Sequence, residues 1–317
     1  DTWLQTPSFE SLRKKILLEC NLISILSSSG EKVFGEATVS TMVMVIQKGK
    51  NKNNLIEIRK MGDNNTDLLN KLDQDSIDFK NGIRLFQDDK SEELLKKVFK
   101  NTIPLSEAGR IVGGLRTGED KKFLLKNKEN NECKKLLRGR NIQRYTFEWN
   151  NEWVWYKPDL MKKKQAAAPK SSDIFEAKEK LLVRMITGSN FIATYDGEGY
   201  YLLQDNLILP KKMDIKYILA IINSSLFNFI IKNITSNIAV TQSVLNDLPI
   251  KISRDNEVQD IKSLVDKMLT LNKELKETPE HSDKWESLKI EIERTDKKID
   301  GEVYKLYELT EEEVRVV

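Results

Sequence analysis

The residues best suited to chemistry lie in one stretch, residues 134–145, which reads KKLLRGRNIQRY. Apolar side chains that can anchor the segment alternate with cationic ones, and Gly139 separates two arginines. An arginine guanidinium offers a planar fork of donors that fits a phosphate or the O6/N7 edge of guanine. A glycine lets a backbone approach a ligand closely. The basic side chains of this stretch are Lys134, Lys135, Arg138, Arg140 and Arg144.

The conformation of this stretch decides which arginines act together. In an extended chain alternate positions face alike, so Arg138, Arg140 and Arg144 would project together while Leu137 anchors the other face. In a helix, Arg140 and Arg144 would share a face and Arg138 would turn away. The position of Gly139 favours the extended form. A solvated basic face without function is the remaining alternative.

Two further basic segments lie on either side of this stretch. Residues 109–125 contain a glycine-rich loop that can cradle a phosphate, although its spacing differs from the P-loop pattern. Residues 157–172 form a lysine-rich loop that can reach a nucleic-acid backbone. Together with the three arginines above, the predicted binding residues are Arg116, Thr117, Lys121, Lys122, Lys162, Lys163, Lys164 and Lys170.

Several kinds of catalytic chemistry are disfavoured by composition. His281 is the one histidine, so histidine-based nucleophilic catalysis and histidine metal clusters are not expected. Cys20 and Cys133 lack metal or disulfide spacing and fit a reducing cytosol. Asp159 and Glu176 match a loose nuclease spelling, but the first precedes the lysine-rich loop and the second falls in a predicted helix. We therefore predict no catalytic residue and no metal site.

The overall charge and hydropathy set two further expectations. The formal net charge is only +3, so a nucleic-acid surface must arise from local segregation of charge. No apolar run approaches the length of a membrane span, so no membrane partner is expected and a cytoplasmic location is predicted.

The first hundred residues read as an α/β segment followed by a linker. We predict a helix over 8–19 capped by Ser8 and a buried strand over 21–27. The apolar run 39–46 predicts a strand covered on both faces, and residues 55–61 should pair back with it as a hairpin. Residues 62–102 are polar and predict a linker ending in a short helix capped by Ser91.

The remaining chain predicts a mixed α/β unit and a helical tail. Residues 123–125, 181–186, 191–195 and 200–203 read as strands, and residues 146–156 as an aromatic strand pair turning at Asn150 and Asn151. The aromatic side chains Trp149, Trp153, Trp155 and Tyr156 are assigned to the core. Apolar residues at heptad-like spacing over 253–317 predict an antiparallel helical hairpin.

The start of the chain resembles the C-terminal end of the catalytic domain of adenine-specific DNA methyltransferases. The likeness covers about residues 1–61, and it implies that this part completes a methyltransferase sheet. It rests on Trp3, Leu4, Leu12, Arg13, Val33, Phe34, Ala37, Thr38, Val39, Ser40 and Thr41.

Residues 103–252 resemble the TaqI-like specificity domain, which is itself similar to the target recognition domains of type I specificity subunits. Five phrases keep the family's order: a Gly-Thr-Gly loop, the basic stretch, a Lys-Leu-Leu-Val-Arg strand, an Asn-Ser turn and a closing Leu-Pro-Ile. In this chain they include Gly114, Thr117, Gly118, residues 180–184, Asn223, Ser224 and residues 248–250.

Together, these resemblances imply the C-terminal part of an adenine-specific methyltransferase from a single-chain, type IIG-like restriction–modification enzyme of a bacterium or archaeon. The expected division is 1–61, 62–102, 103–252 and 253–317, with a mixed α/β (α+β) fold class. Double-stranded DNA and the protein's own N-terminal catalytic domain are the expected partners, and a monomer is favoured.

The family's chemistry is not expected in this chain. It has no adjacent prolines for the adenine-gripping turn and no glycine-rich S-adenosylmethionine loop after a first strand, so that cofactor is expected only in the full-length enzyme. A free-standing specificity or scaffold subunit, binding DNA or a protein partner, is the alternative. The methyltransferase-like first sixty residues argue against it.

Overall fold

The computed structural model describes residues 2–4, 6–28, 41–61, 66–79, 83, 89–185, 190–234 and 242–317. The chain divides into two units. The first comprises Asp1–Lys96 with Ile231–Asn237, and the second comprises Lys97–Ile230 with Ile238–Val317. Among the described residues no single helix is long and apolar enough to span a membrane.

The first unit is built on a four-stranded sheet of order β2-β1-β3-β4. One face of the sheet packs with the first helix around a core that includes Leu4, Leu17, Leu22, Ile25 and Ile58. Its elements are α1 (Glu10–Glu19), β1 (Cys20–Ser27), β2 (Met42–Lys48), β3 (Leu55–Met61), β4 (Thr66–Asp73) and α2 (Asp89–Phe99), the last of which crosses the division between units.

Strand β2 differs from the prediction in burial and in pairing. Met42 and Met44 pack against the core, but Val43 and Val45 on the opposite face are 58% and 52% exposed. The predicted coverage on both faces is therefore wrong, and Val39 lies outside the described residues. The predicted hairpin is also wrong, because β3 pairs in parallel with β1 and not with β2.

The polar segment after β3 contains more structure than a linker. Residues 66–73 form β4, which pairs antiparallel with β3. The side chain of Gln74 is buried, accepts the backbone N–H of Leu22 at 2.9 Å and donates to the carbonyl of Cys20 at 2.7 Å. Neither predicted helix cap is correct: α1 follows Phe9 without a side-chain cap, and Ser91 lies inside α2, which begins at Asp89.

The second unit contains two four-stranded sheets, of order β14-β8-β11-β7 and β13-β12-β15-β6, and two short strand pairs, β10-β9 and β16-β5. The strands are β5 (Thr102–Pro104), β6 (Gly109–Gly113), β7 (Leu124–Leu125), β8 (Cys133–Arg138), β9 (Ile142–Gln143), β10 (Thr146–Phe147), β11 (Trp153–Trp155), β12 (Lys180–Val183), β13 (Ala193–Asp196), β14 (Tyr201–Leu203), β15 (Asn206–Pro210) and β16 (Pro249–Lys251).

Helices connect these sheets and cover them. Leu219, Ile221 and Ile222 are completely buried in the helix that spans Ile215–Asn223. The helices before the tail are α3 (Leu105–Ala108), α4 (Asp120–Phe123), α5 (Pro158–Met161), α6 (Ser172–Phe175), α7 (Ile215–Asn223), α8 (Ser225–Ile234) and α9 (Gln242–Asn246).

A helical hairpin ends the second unit, as predicted. Its helices are α10 (Asp255–Glu277) and α11 (Asp283–Leu306), followed by α12 (Glu311–Val316). Ile261, Val265 and Met268 of α10 and Leu288, Ile299 and Val303 of α11 form the buried stripes. The ion pairs Lys216–Asp266 and Lys262–Asp214 join α10 to α7 and to its N-terminal cap.

Candidate nucleic-acid interface

The basic stretch 134–145 is neither one strand nor one helix. It runs along β8, makes a 3₁₀ turn over Gly139–Asn141 and continues into β9. Leu136, Leu137 and Ile142 are completely buried, which confirms that the stretch carries its own apolar anchors. The cationic residues therefore project from a backbone whose position is set by the strand and the turn.

The side chains of Asn141 and Asp205 support the 3₁₀ turn. The side-chain oxygen of Asn141 accepts the backbone N–H of Arg138 at 2.8 Å. The Asp205 carboxylate accepts the backbone N–H of Met185 at 2.7 Å and lies against the backbone of Gly139. Burial raises the pKa of Asp205, and the hydrogen bond from Met185 opposes that shift.

Glycine is required at position 139 because of Asp205. A Cβ atom added to Gly139 would lie 2.5 Å from the Oδ1 atom of Asp205. The glycine therefore admits a carboxylate of the same chain, and not the ligand expected from the sequence. Asp205 lies 66 positions after Gly139, so no local sequence pattern identifies it as the partner.

The three arginines of the stretch have three different environments. Arg138 forms an ion pair with Glu152, and this hydrogen bond raises the pKa of Arg138. Arg144 forms two hydrogen bonds with Asp296, at 2.7 and 2.9 Å. Within the described part of the chain, the exposed side chain of Arg140 has no hydrogen-bond or ion-pair partner. The three side chains therefore do not act as one set.

Arg138 and Arg140 line an open cleft of about 500 Å³. The cleft joins the glycine-rich loop, the 3₁₀ turn and the turn at residues 150–152, which are distant in sequence. Its lining is formed by Asp120, Leu124, Leu125, Lys126, Arg138, Arg140, Asn141, Asn150, Asn151 and Glu152. Lys126 was missed as a site residue. Its place directly after strand β7, beside the basic loop, was the available signal.

The glycine-rich loop is folded around its own threonine. Thr117 is buried, donates its hydroxyl to Asp120 and accepts the backbone N–H of Glu119 at 3.2 Å. Gly118 has a φ of +73°, the left-handed region that favours glycine. Thr117 therefore shapes the loop, while Arg116, Lys121 and Lys122 are exposed around it.

The lysine-rich loop contains both paired and unpaired cations. Lys164 forms an ion pair with Glu119 at 2.6 Å and lowers the pKa of that carboxyl, and Lys162 lies 3.7 Å from Asp159. Lys163 is exposed and, among the residues described, has no partner for its ammonium group. Lys170 is half-buried, and its carbonyl accepts the Tyr156 hydroxyl.

The aromatic residues support the site from inside. Trp149, Trp155 and Tyr156 are partly buried and pack against the core cluster, as predicted, whereas Trp153 lies outside it and packs edge-on against Trp149 with ring centroids 5.1 Å apart. Their strands do not pair with each other, however: β10 pairs with β9, whereas β11 pairs with β8 and β7. The predicted hairpin at residues 146–156 is therefore wrong, although the chain bends at Asn151, where φ is +54°.

The nuclease-like residues do not form a site. The side chain of Asp159 is 94% exposed. Glu176 accepts hydrogen bonds from Lys134 at 2.8 Å and from Tyr201 at 2.9 Å, and the Lys134 bond lowers its pKa. Among the described residues no group of three or more histidine, cysteine or acidic side chains could hold a metal ion.

Three solved structures show what the chain resembles. A DNA complex of the type IIL restriction–modification enzyme MmeI matches over 99% of this chain and 47% of its own, with a TM-score of 0.64 and 10% identity. A type I restriction–modification complex covers 68% of this chain and 50% of its own, with a TM-score of 0.39 and 12% identity. The HsdS subunit of Thermoanaerobacter tengcongensis covers 68% and 51%, with a TM-score of 0.36 and 11% identity.

The chain thus spans about half the length of the MmeI chain and shares its fold there. No curated protein matches this sequence. A family model does match: residues 134–250, which contain the basic stretch, the strands around it and the Asn223 turn, are similar to the TaqI-like C-terminal specificity domain.

Proposed function

We propose that this chain selects the DNA sequence on which a restriction–modification enzyme acts. The observation that carries the proposal is the free guanidinium of Arg140, held on a rigid turn inside the segment that matches the specificity domain. An arginine reads guanine by donating two hydrogen bonds to O6 and N7 in the major groove. Such a contact needs an unpaired side chain on a fixed backbone, and Arg140 has both.

The surrounding cations have a different role in this proposal. Lys121, Lys122, Lys126 and Lys163 are exposed near the arginine turn or on the loops of the same unit. Lysines that neutralise phosphates orient a protein on the duplex without reading its sequence. Lys162 and Lys164 already face acidic partners, so we assign them a smaller share of the phosphate contacts than the sequence analysis did.

The reaction itself belongs to a catalytic domain outside this chain. We propose N6-adenine methylation with S-adenosylmethionine, in a single-chain enzyme of the type IIG kind. The supporting observations are the methyltransferase-like residues of the first unit and the length of the MmeI chain, about twice that of the present one. Selection of the duplex would then present one adenine for flipping into the catalytic pocket.

A selection experiment tests the proposal with the 317-residue chain alone. A pool of duplexes with a randomised centre is bound, recovered and sequenced. We expect the wild-type chain to enrich one short motif. Arg140→Ala should lose discrimination at one guanine of that motif, a cost of about 1–3 kcal/mol, and keep the others.

The matched control is Arg315→Ala, which removes the same charge from an exposed position on α12. Its motif should equal that of the wild-type chain. Lys121→Ala should weaken the binding of all sequences alike and lower the salt slope by about one. If the wild-type chain enriches no motif, or if Arg140→Ala retains the full motif, the proposal is wrong.

A further inference from the structure

Arg144 sits where the basic stretch, the α7–α8 junction and helix α11 meet. Its two terminal nitrogens donate to the two carboxylate oxygens of Asp296, at 2.9 and 2.7 Å. One of these nitrogens also donates to the carbonyl of Asn223 at 2.7 Å. This bidentate geometry is the strongest form of arginine–carboxylate pairing and fixes the direction of both side chains. Both terminal nitrogens of the guanidinium are thus already engaged.

Helix α11 holds the α7–α8 junction as well. Asp300 lies one helical turn after Asp296 and accepts the backbone N–H of Ser225 at 2.9 Å and its hydroxyl at 2.6 Å. The amide of Asn223 exchanges two hydrogen bonds with the backbone of Ala193, at 3.0 and 2.9 Å. Two carboxylates of α11 therefore hold Arg144 of the basic stretch and the α7–α8 junction beside it.

The segment after Arg144 is fixed at two more points. Tyr145 is buried with a φ of +61°, and its N–H donates to the carbonyl of Ala193 at 3.1 Å. The carbonyl of Phe147 accepts a hydrogen bond from Lys276 of α10. Both helices of the hairpin and strand β13 thus grip residues 144–147.

This clamped segment is continuous with the turn that carries Arg140. Strand β9 joins the two and pairs with β10 through Gln143↔Thr146 and Ile142↔Phe147. The N–H of Glu148 donates to the carbonyl of Asn141, the last residue of the turn, at 2.9 Å. A two-stranded ribbon therefore connects Arg144 to the turn.

We infer that Arg144 is a positioning residue and not a DNA contact, and that the α10–α11 hairpin acts through it to hold Arg140 in reading geometry. The inference rests on the proposed function, and it changes the role that the sequence analysis gave to Arg144. Because Asp296 neutralises Arg144, the pair contributes little attraction toward a phosphate backbone. The pair instead fixes the orientation of the segment that contains Arg144.

Replacing Asp296 separates positioning from contact. If Arg144 bound DNA, Asp296→Ala would free a cation and remove a negative charge, and binding to every duplex would strengthen. If Arg144 positions the turn, Asp296→Ala should weaken binding to the selected motif by about tenfold. Binding to a scrambled duplex and its salt slope should stay within twofold of the wild-type values. The affinities are measured by fluorescence anisotropy at three salt concentrations.

A second variant keeps the positive charge. Arg144→Lys retains a cation but cannot form the bidentate pair. A phosphate-contacting role predicts near wild-type affinity for both duplexes, whereas positioning predicts loss on the selected motif only. The matched control is Asp266→Ala, which removes an ion pair between the same hairpin and Lys216 of α7, away from the turn. Its selectivity should equal that of the wild-type chain.

Hydrogen exchange tests the clamp without DNA. In Asp296→Ala the amides of residues 139–148 should exchange faster than in Asp266→Ala, while exchange in β12 and β15 stays unchanged. Unchanged exchange at 139–148, stronger binding of all duplexes, or unchanged selectivity would each overturn the inference. If the wild-type chain enriches no motif, the proposed function fails, and the exchange measurement still decides whether Asp296 holds the segment.

Discussion

Replacing Gly139 by alanine should destabilise the second unit through one contact. The backbone at Gly139 does not itself need glycine, since its φ lies outside the left-handed region. The added Cβ atom would nevertheless stand 2.5 and 2.6 Å from the two carboxylate oxygens of Asp205. Real Cβ atoms do not approach oxygen so closely, so either the carboxylate or the turn must move.

The size of the effect follows from the hydrogen bond that Asp205 would lose. Its carboxylate accepts the N–H group of Met185 at 2.7 Å. A hydrogen bond to a charged group contributes about 1.5–3 kcal/mol, so losing this one costs about that much. Alanine restricts the unfolded chain and returns about 0.4–1 kcal/mol. We therefore expect Gly139→Ala to lower the free energy of unfolding by about 0.5–2.5 kcal/mol.

The assay is urea denaturation followed by tryptophan fluorescence, with Gly113→Ala as the matched control. A Cβ atom at Gly113 meets nothing within 4 Å, so this variant should be neutral or slightly more stable. In the background of Asp205→Ala the clash is absent, and Gly139→Ala should then cost almost nothing. Equal stability of the two glycine variants, or additivity of the Gly139 and Asp205 changes, would refute the reasoning.

Two further predictions concern buried charges. Lys180 and Asp196 form a completely buried ion pair at 2.6 Å, so Lys180→Met should cost about 3–5 kcal/mol in urea denaturation, against about 0–1 for Lys212→Met at an exposed pair. Burial raises the pKa of Asp300 above 3.8, so its contribution to stability is present below that value and is lost as pH rises through the raised pKa. The stability of Asp300→Asn relative to the wild-type chain should therefore increase with pH over this range. A difference independent of pH, measured by denaturation at several pH values, would contradict this.

Local periodicity carried most of the correct predictions. Heptad spacing predicted α10 and α11 correctly. Each helix buries one apolar stripe against its neighbours, and the residues of that stripe recur every three or four positions in the sequence. The strand over residues 21–27 and the apolar anchors of the basic stretch were found for the same reason. In these elements, burial depends on positions only a few residues apart.

The predictions of strand pairing and of side-chain exposure were wrong where these depend on residues distant in the sequence. The apolar run of β2 looked covered on both faces, yet Val43 and Val45 are exposed because β2 is an edge strand with one face packed. Strand β3 follows β2 in the chain and still pairs with β1, since that arrangement buries Ile58 beside Ile25. Composition alone does not distinguish an edge strand from a central one.

The cationic side chains are the clearest case of this dependence on distant residues. A cationic residue can contribute to a binding surface only if no acidic side chain of the same chain already pairs with it. The partner of Arg138 lies 14 positions away and that of Arg144 lies 152 positions away, so no local pattern reveals either. A paired arginine presents almost no net charge at the distance of a phosphate, and its fork is filled. Of the predicted cations, those without an ion pair among the described residues are Arg116, Lys121, Lys122, Arg140, Lys163 and Lys170. Within that set, the Arg140 side chain alone lines the cleft, on a turn fixed by Asp205. Reading a base requires a guanidinium that is not already paired and a backbone that holds it in a fixed position. A guanidinium meets the first requirement only where the fold places the acidic side chains away from it.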